Sequence, residues 1–72
     1  MPGFLGFKEL PARLQPLLPL LANGKTNQEI AEALGYAVHT IEVYVSEIKD
    51  LVGARDRVDL ALQAKEWIQA EN

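Results

Sequence analysis

The sequence has no cysteine among its 72 residues. Disulfides are therefore excluded, and so are the thiolate ligands that structural zinc usually prefers. The absence fits a reducing compartment, and a cytoplasmic location is the expectation. Histidine and serine occur once each, as His39 and Ser46. On one helix, seven residues amount to ~10.5 Å of rise, too far for a nucleophile to meet its base. No catalytic residue, cofactor or metal site is expected, and the chain does not read as an enzyme. Long apolar runs are also missing. The stretch Phe4–Phe7 is short, is broken by Gly6 and has no basic region before it. It is not a signal peptide, and nothing approaches the ~18 apolar residues of a membrane span. Cations are in the minority, with 7 Lys and Arg against 10 Asp and Glu and a net charge of −3. Domains that hold DNA are usually basic, because affinity comes largely from neutralising phosphates. An acidic chain can do so only if its few cations gather on one face.

Apolar residues, by contrast, are plentiful at 49%. A chain this short holds one domain and buries only roughly 60% of its unfolded surface. Opening on Met1, it is read as a stand-alone product. There is no internal repeat, linker or low-complexity run. Residues 1–9 are expected to form a loose N-terminal arm, and residues 10–72 the domain.

Four periodic segments fill that domain. In the first, about Leu10 to Ala22, Leu10, Leu14, Leu17, Leu18 and Leu21 fall at helical spacing. Pro16 and Pro19 interrupt it, since each removes a backbone donor and clashes with the preceding turn. A kinked or split helix that starts again near Pro16 is expected, ending at Asn23-Gly24. In the second, about Asn27 to Leu34, Thr26 is the N-cap and Glu29, three residues on, completes a capping box. Ile30, Ala31 and Leu34 make the buried stripe, and Gly35 stops the helix. In the third, about Val38 to Val52, Val38, Ile41, Val45, Ile48 and Val52 keep one face apolar. The opposite face carries His39, Thr40, Glu42, Val43, Ser46, Glu47, Lys49 and Asp50, and Gly53 ends the helix. The fourth runs from about Asp56, a plausible cap, to Ala70. Val58, Ala61, Leu62 and Ile68 form one stripe, with Leu60, Ala64 and Trp67 partly beside it.

Segments two and three are the informative unit. A short capped helix, a tight turn of about three residues and a longer helix make the form of a helix-turn-helix, here about residues 26–52. The second helix of such a pair can project from the body and enter a groove ~12 Å wide.

The run Leu20-Leu21-Ala22-Asn23-Gly24-Lys25-Thr26-Asn27-Gln28-Glu29-Ile30-Ala31-Glu32-Ala33-Leu34-Gly35 resembles the LuxR-type, or GerE-like, DNA-binding domain. So do His39-Thr40-Ile41 and Gly53-Ala54-Arg55-Asp56-Arg57-Val58-Asp59-Leu60. The resemblance extends from about Leu10 to Leu62 and rests on the core Ala-x-Gly-x-Thr-Asn-x-Glu-Ile-Ala-x-x-Leu. It implies an all-α, four-helix bundle in which helix three reads DNA and helix four is the usual dimer contact. Departures are concentrated where DNA would lie. Glu42 stands where the family usually has Lys, Tyr44 where it usually has His, and Leu51 where Lys is common. Leu14 and Pro16 replace an acidic pair on helix one. Between Val38 and Val52, Glu42, Glu47 and Asp50 oppose Lys49 alone.

The resulting expectation is a transcription regulator that holds double-stranded DNA as a homodimer. Lys25, Thr26, Asn27, Tyr44 and Lys49 would hold the backbone, and the Ser46 hydroxyl, on the outward side of helix three, could meet a base edge or a phosphate. His39, Thr40, Glu42 and Val43 would face the bases: hydroxyls can meet base edges, Val43 a thymine methyl, and Glu42 cytosine N4. Lys25, Lys49, Arg55 and Arg57 form a candidate phosphate-gripping set, although Arg57 could instead pair internally with a carboxylate. Leu60, Ala64 and Trp67 are the candidate dimer interface, with Trp67 equally suited to closing the domain's own core. Tyr44 could meet a phosphate or fill the groove between helices. The alternative is a protein-interaction module on a degenerate helix-turn-helix fold that has lost DNA binding and docks on a partner regulator.

Overall fold

The computed structural model describes residues 4–71. Among these the chain is all-helical, with α1 at Leu17–Ala22, α2 at Asn27–Leu34, α3 at Val38–Val52 and α4 at Arg57–Glu71. Two single 3-10 turns, Phe7–Glu9 and Ala12–Leu14, precede α1.

The prolines divide the first segment as their chemistry requires. Pro16 is the N-cap of α1 at φ −63°, and Pro19 falls in its first turn. Amides of a first turn have no intrahelical acceptor, so Pro19 forfeits nothing there. Upstream, Gln15 closes the second 3-10 turn and ties it back to the first. Its Nε2 donates to the carbonyls of Phe7 at 2.8 Å and Leu10 at 3.2 Å.

The ends of α2 and α3 are fixed by residues that the sequence marks. Thr26 Oγ1 accepts the Glu29 amide at 3.1 Å, and Glu29 Oε1 accepts the Thr26 amide at 2.8 Å. Gly35 at φ 77° and Gly53 at φ 74° take the left-handed conformation that closes each helix. Only Gly35, Tyr36 and Ala37 separate the two helices, giving a tight helix-turn-helix.

One core holds the bundle. Leu14, Leu17, Leu18, Leu21, Ile30, Ile41, Ile48 and Leu60 are fully buried, and α4 lies against α1 while α2 lies against α3. No polar or charged residue is buried among the described ones. Each such aliphatic side chain contributes about 1.5–3 kcal/mol on leaving water.

The N-terminal arm is not loose over the residues described. Phe7 and Leu10 are buried, the Leu5 amide donates to the Leu51 carbonyl at 2.8 Å, and Phe4 lies over Gly53. A small core gains from every apolar ring available, and Phe7 supplies one. Met1, Pro2 and Gly3 lie outside the described residues.

The inner face of α4 also differs from expectation. Val58 and Leu62, read as its apolar stripe, are 69% and 56% exposed, whereas Leu60 and Ala64 are fully buried. Apolar side chains surround this helix, so its periodicity does not select a face. Contact with α1 does.

Candidate nucleic-acid interface

The third helix buries Ile41, Val45 and Ile48 and leaves its other side in solvent. His39, Glu42, Val43, Ser46 and Asp50 are exposed, and Val43 is 49% exposed despite being apolar. Glu42, Val43, Ser46, Glu47 and Asp50 border one open hollow along this side. Thr40, Glu47 and Lys49 are half-buried at its flanks.

His39 lies 3.6 Å from the Glu42 carboxylate through Nδ1, one turn along the helix. Tyr44 is half-buried and packs against the core. Its ring meets Tyr36 edge-on with centroids 5.8 Å apart, so it fills the groove beside the turn. The Arg13 guanidinium stands 5.9 Å above the same ring and pairs with the Glu47 carboxylate. Arg13 is a cation beside α3 that sequence reasoning missed. It lies 34 residues from Glu47, in a proline-broken segment with no periodicity that aims it.

At the entry to α2, Lys25 and Thr26 are exposed and Asn27 half-buried. The Thr26 amide holds the Glu29 carboxyl below its ordinary value, with the Thr26 hydroxyl and Lys25 adding smaller effects in the same direction. Arg57 crosses from α4, donating to Asn27 Oδ1 at 2.6 Å and to the Lys25 carbonyl at 2.7 Å. It pairs internally, but with an amide and a carbonyl rather than a carboxylate. Arg57 is thus a brace between the start of α4 and the start of α2. Arg55 is exposed and lies 3.6 Å from Asp59. Asp59 accepts the Arg55 amide at 2.9 Å and Gln63 Nε2 at 3.0 Å, which hold its carboxyl below the ordinary range.

The structure thus gathers His39, Thr40, Glu42, Val43, Ser46 and Lys49 along α3 and Lys25, Thr26 and Asn27 at the start of α2. Tyr44 stands between its helix and the Tyr36 turn. Of the three residues expected at a dimer contact, two are placed otherwise. Leu60 and Ala64 are fully buried in their own chain and cannot touch a second copy without opening the core. Trp67 is half-buried and stacks on Phe7, with centroids 5.7 Å apart and planes at 29°.

Residues 9–64 match the family model described as "Bacterial regulatory proteins, luxR family". The chain belongs to the luxR family. Among family relatives, the two-component response regulator PprB of Pseudomonas aeruginosa is 38% identical over 56 residues, 78% of this chain and 20% of that protein. The oxygen regulatory protein NreC of Staphylococcus aureus is 39% identical over 54 residues, 75% of this chain and 25% of NreC. The C4-dicarboxylate transport transcriptional regulatory protein DctR of Rhodobacter capsulatus is 42% identical over 45 residues, 62% of this chain and 23% of DctR. This luxR-family chain therefore spans a fifth to a quarter of the length of these relatives.

Proposed function

We propose that the chain is a DNA-binding transcription regulator that lays the exposed side of α3 in a major groove. The observation that carries this reading is the exposed polar side of α3, the second helix of a tight helix-turn-helix in a luxR-family domain. Lys25, Thr26 and Asn27 at the start of α2, with Lys49 on α3, meet the backbone. His39, Thr40, Glu42, Val43 and Ser46 lie toward the bases. The chain acts in the cytoplasm as a homodimer whose two α3 helices enter half-sites about one helical turn apart. With Leu60 and Ala64 inside the core, the exposed large apolar residues of α4 are Val58 and Leu62, and Trp67 and Ile68 are half-buried.

The carboxylates of Glu42, Glu47 and Asp50 on the same side favour a second reading, a module that docks on a partner regulator without DNA. Titration with mixed duplex DNA separates the two. A DNA binder loses affinity steeply as salt rises, whereas absence of binding at ~50 mM salt supports the docking module. Glu42→Lys is a second test: if Glu42 only repels phosphate, the swap strengthens binding to every sequence.

A further inference from the structure

Arg13 lies outside the helix-turn-helix, yet its guanidinium is held at the side of α3. Two independent contacts place it there. It pairs with the Glu47 carboxylate and lies over the Tyr44 ring, 5.9 Å from the centroid. Tyr44 is braced in turn by Tyr36. Flat guanidinium groups stack on aromatic faces and carry five donors in a rigid fork. A carboxylate engages at most two of these, and the Arg13 side chain remains 48% exposed. Glu47 borders the hollow on the outward side of α3, so the unused donors stand at the rim of the proposed reading surface.

We propose that Arg13 contacts a DNA backbone phosphate, with Glu47 and Tyr44 holding it in position. Lys49 is the only Lys or Arg within α3, against three carboxylates. Arg13 brings a second cation to this face from the segment before α1. It both screens Glu47 and offers the phosphate a forked donor, which Arg provides and Lys does not. The inference rests on the DNA-binding reading above, and the test separates the two.

The full chain is titrated by fluorescence anisotropy into a labelled mixed-sequence duplex of about 20 base pairs, from ~50 to ~200 mM salt. One phosphate contact contributes about 0.9 to the slope of log affinity against log salt. Arg13→Gln is expected to weaken binding at low salt and to make that slope shallower by about 0.9, so wild type loses about three- to fourfold more affinity over this range. Arg13→Lys keeps the charge and is expected to keep the slope. The same loss on Arg13→Gln is expected in a Glu47→Gln background, where no carboxylate remains for Arg13 to screen. Circular dichroism confirms the fold of each variant. If wild type binds and Arg13→Gln or Arg13→Lys departs from these slopes, the inference is overturned while the DNA-binding reading stands. If the loss disappears in the Glu47→Gln background, Arg13 only screens Glu47 and the inference is again overturned. Wild type with no salt-dependent binding overturns both.

Discussion

The Arg57 guanidinium donates to Asn27 Oδ1 at 2.6 Å, joining the first residue of α4 to the first residue of α2. Its second bond, to the Lys25 carbonyl at 2.7 Å, fixes the turn that enters the helix-turn-helix. Hydrogen bonds from a charged group contribute about 1.5–3 kcal/mol, less where water competes. Both bonds are at least partly exposed. Arg57→Leu is therefore expected to lower the unfolding free energy by about 1–2 kcal/mol. Urea unfolding reads this as a lower midpoint at unchanged slope. Lys lacks the fork, so Arg57→Lys should recover only part of the loss. An unchanged midpoint in Arg57→Leu would refute the brace.

Glu29 links stability to pH with a definite sign. The Thr26 amide, its hydroxyl and Lys25 favour the ionised carboxylate, so its folded value lies below the ordinary 4.5. A depressed folded value contributes stability that is fully present above 4.5 and lost as pH falls through 4.5 toward the folded value. Asp59 has the same sign, from the Arg55 amide first and Gln63 second. Glu29→Gln retains a capping partner but no charge. The wild-type advantage over Glu29→Gln should be constant near neutrality, shrink below about pH 4.5 and vanish in strong acid. Thermal melts across that range check it. The cap itself is tested by Thr26→Ala, with an expected loss of about 1 kcal/mol. An advantage that grows in acid would reverse the assignment.

Parts of the molecule that depend on neighbours in sequence were legible, and parts that depend on distant ones were not. Thr26, Glu29, Gly35 and Gly53 act within a few residues of themselves, so the limits of α2 and α3 follow from the chain. The 3.6-residue period exposed the outward side of α3, because Ile41, Val45 and Ile48 have no apolar rivals opposite apart from Val43. Pro16 and Pro19 announced a break and a restart. Helix α4 was different: apolar residues surround it, and only packing against α1 selects Leu60 and Ala64 over Val58 and Leu62. The arm was misread because Phe7 finds its partner in Trp67, almost the whole chain away. Arg13 escaped notice for the same reason, since local pattern says nothing of a pairing with Glu47.

Gly53 and Phe4 provide a test of the arm. A Cβ on Gly53 would lie 2.7 Å from the Phe4 ring, and the residue has φ 74°. Gly35 has nearly the same backbone, φ 77°, with open space where its Cβ would be. Alanine at either position suffers the left-handed penalty, about 1–2 kcal/mol. Gly53→Ala must also displace the ring, which is 61% exposed and free to swing away. It should therefore cost more than Gly35→Ala by the value of the Phe4 contact. In a Phe4→Ala background the two substitutions should cost the same. Paired urea midpoints decide this, and a difference that survives Phe4→Ala would place its cause elsewhere.

Leu60 and Leu62 are two residues apart on α4, yet one is fully buried and the other 56% exposed. Leu60→Ala removes core volume and should cost about 2–5 kcal/mol, a large share of what a domain of this size possesses. Its loss of function would reveal nothing about pairing. Val58→Ser with Leu62→Ser alters only surface, so helicity and melting temperature should remain near wild type. If α4 joins two copies, the double variant should sediment as monomer at concentrations where wild type associates, and its binding to a two-half-site duplex should weaken. If the double variant associates like wild type, the contact lies on another face. The buried position cannot distinguish these outcomes, because unfolding abolishes association by any route.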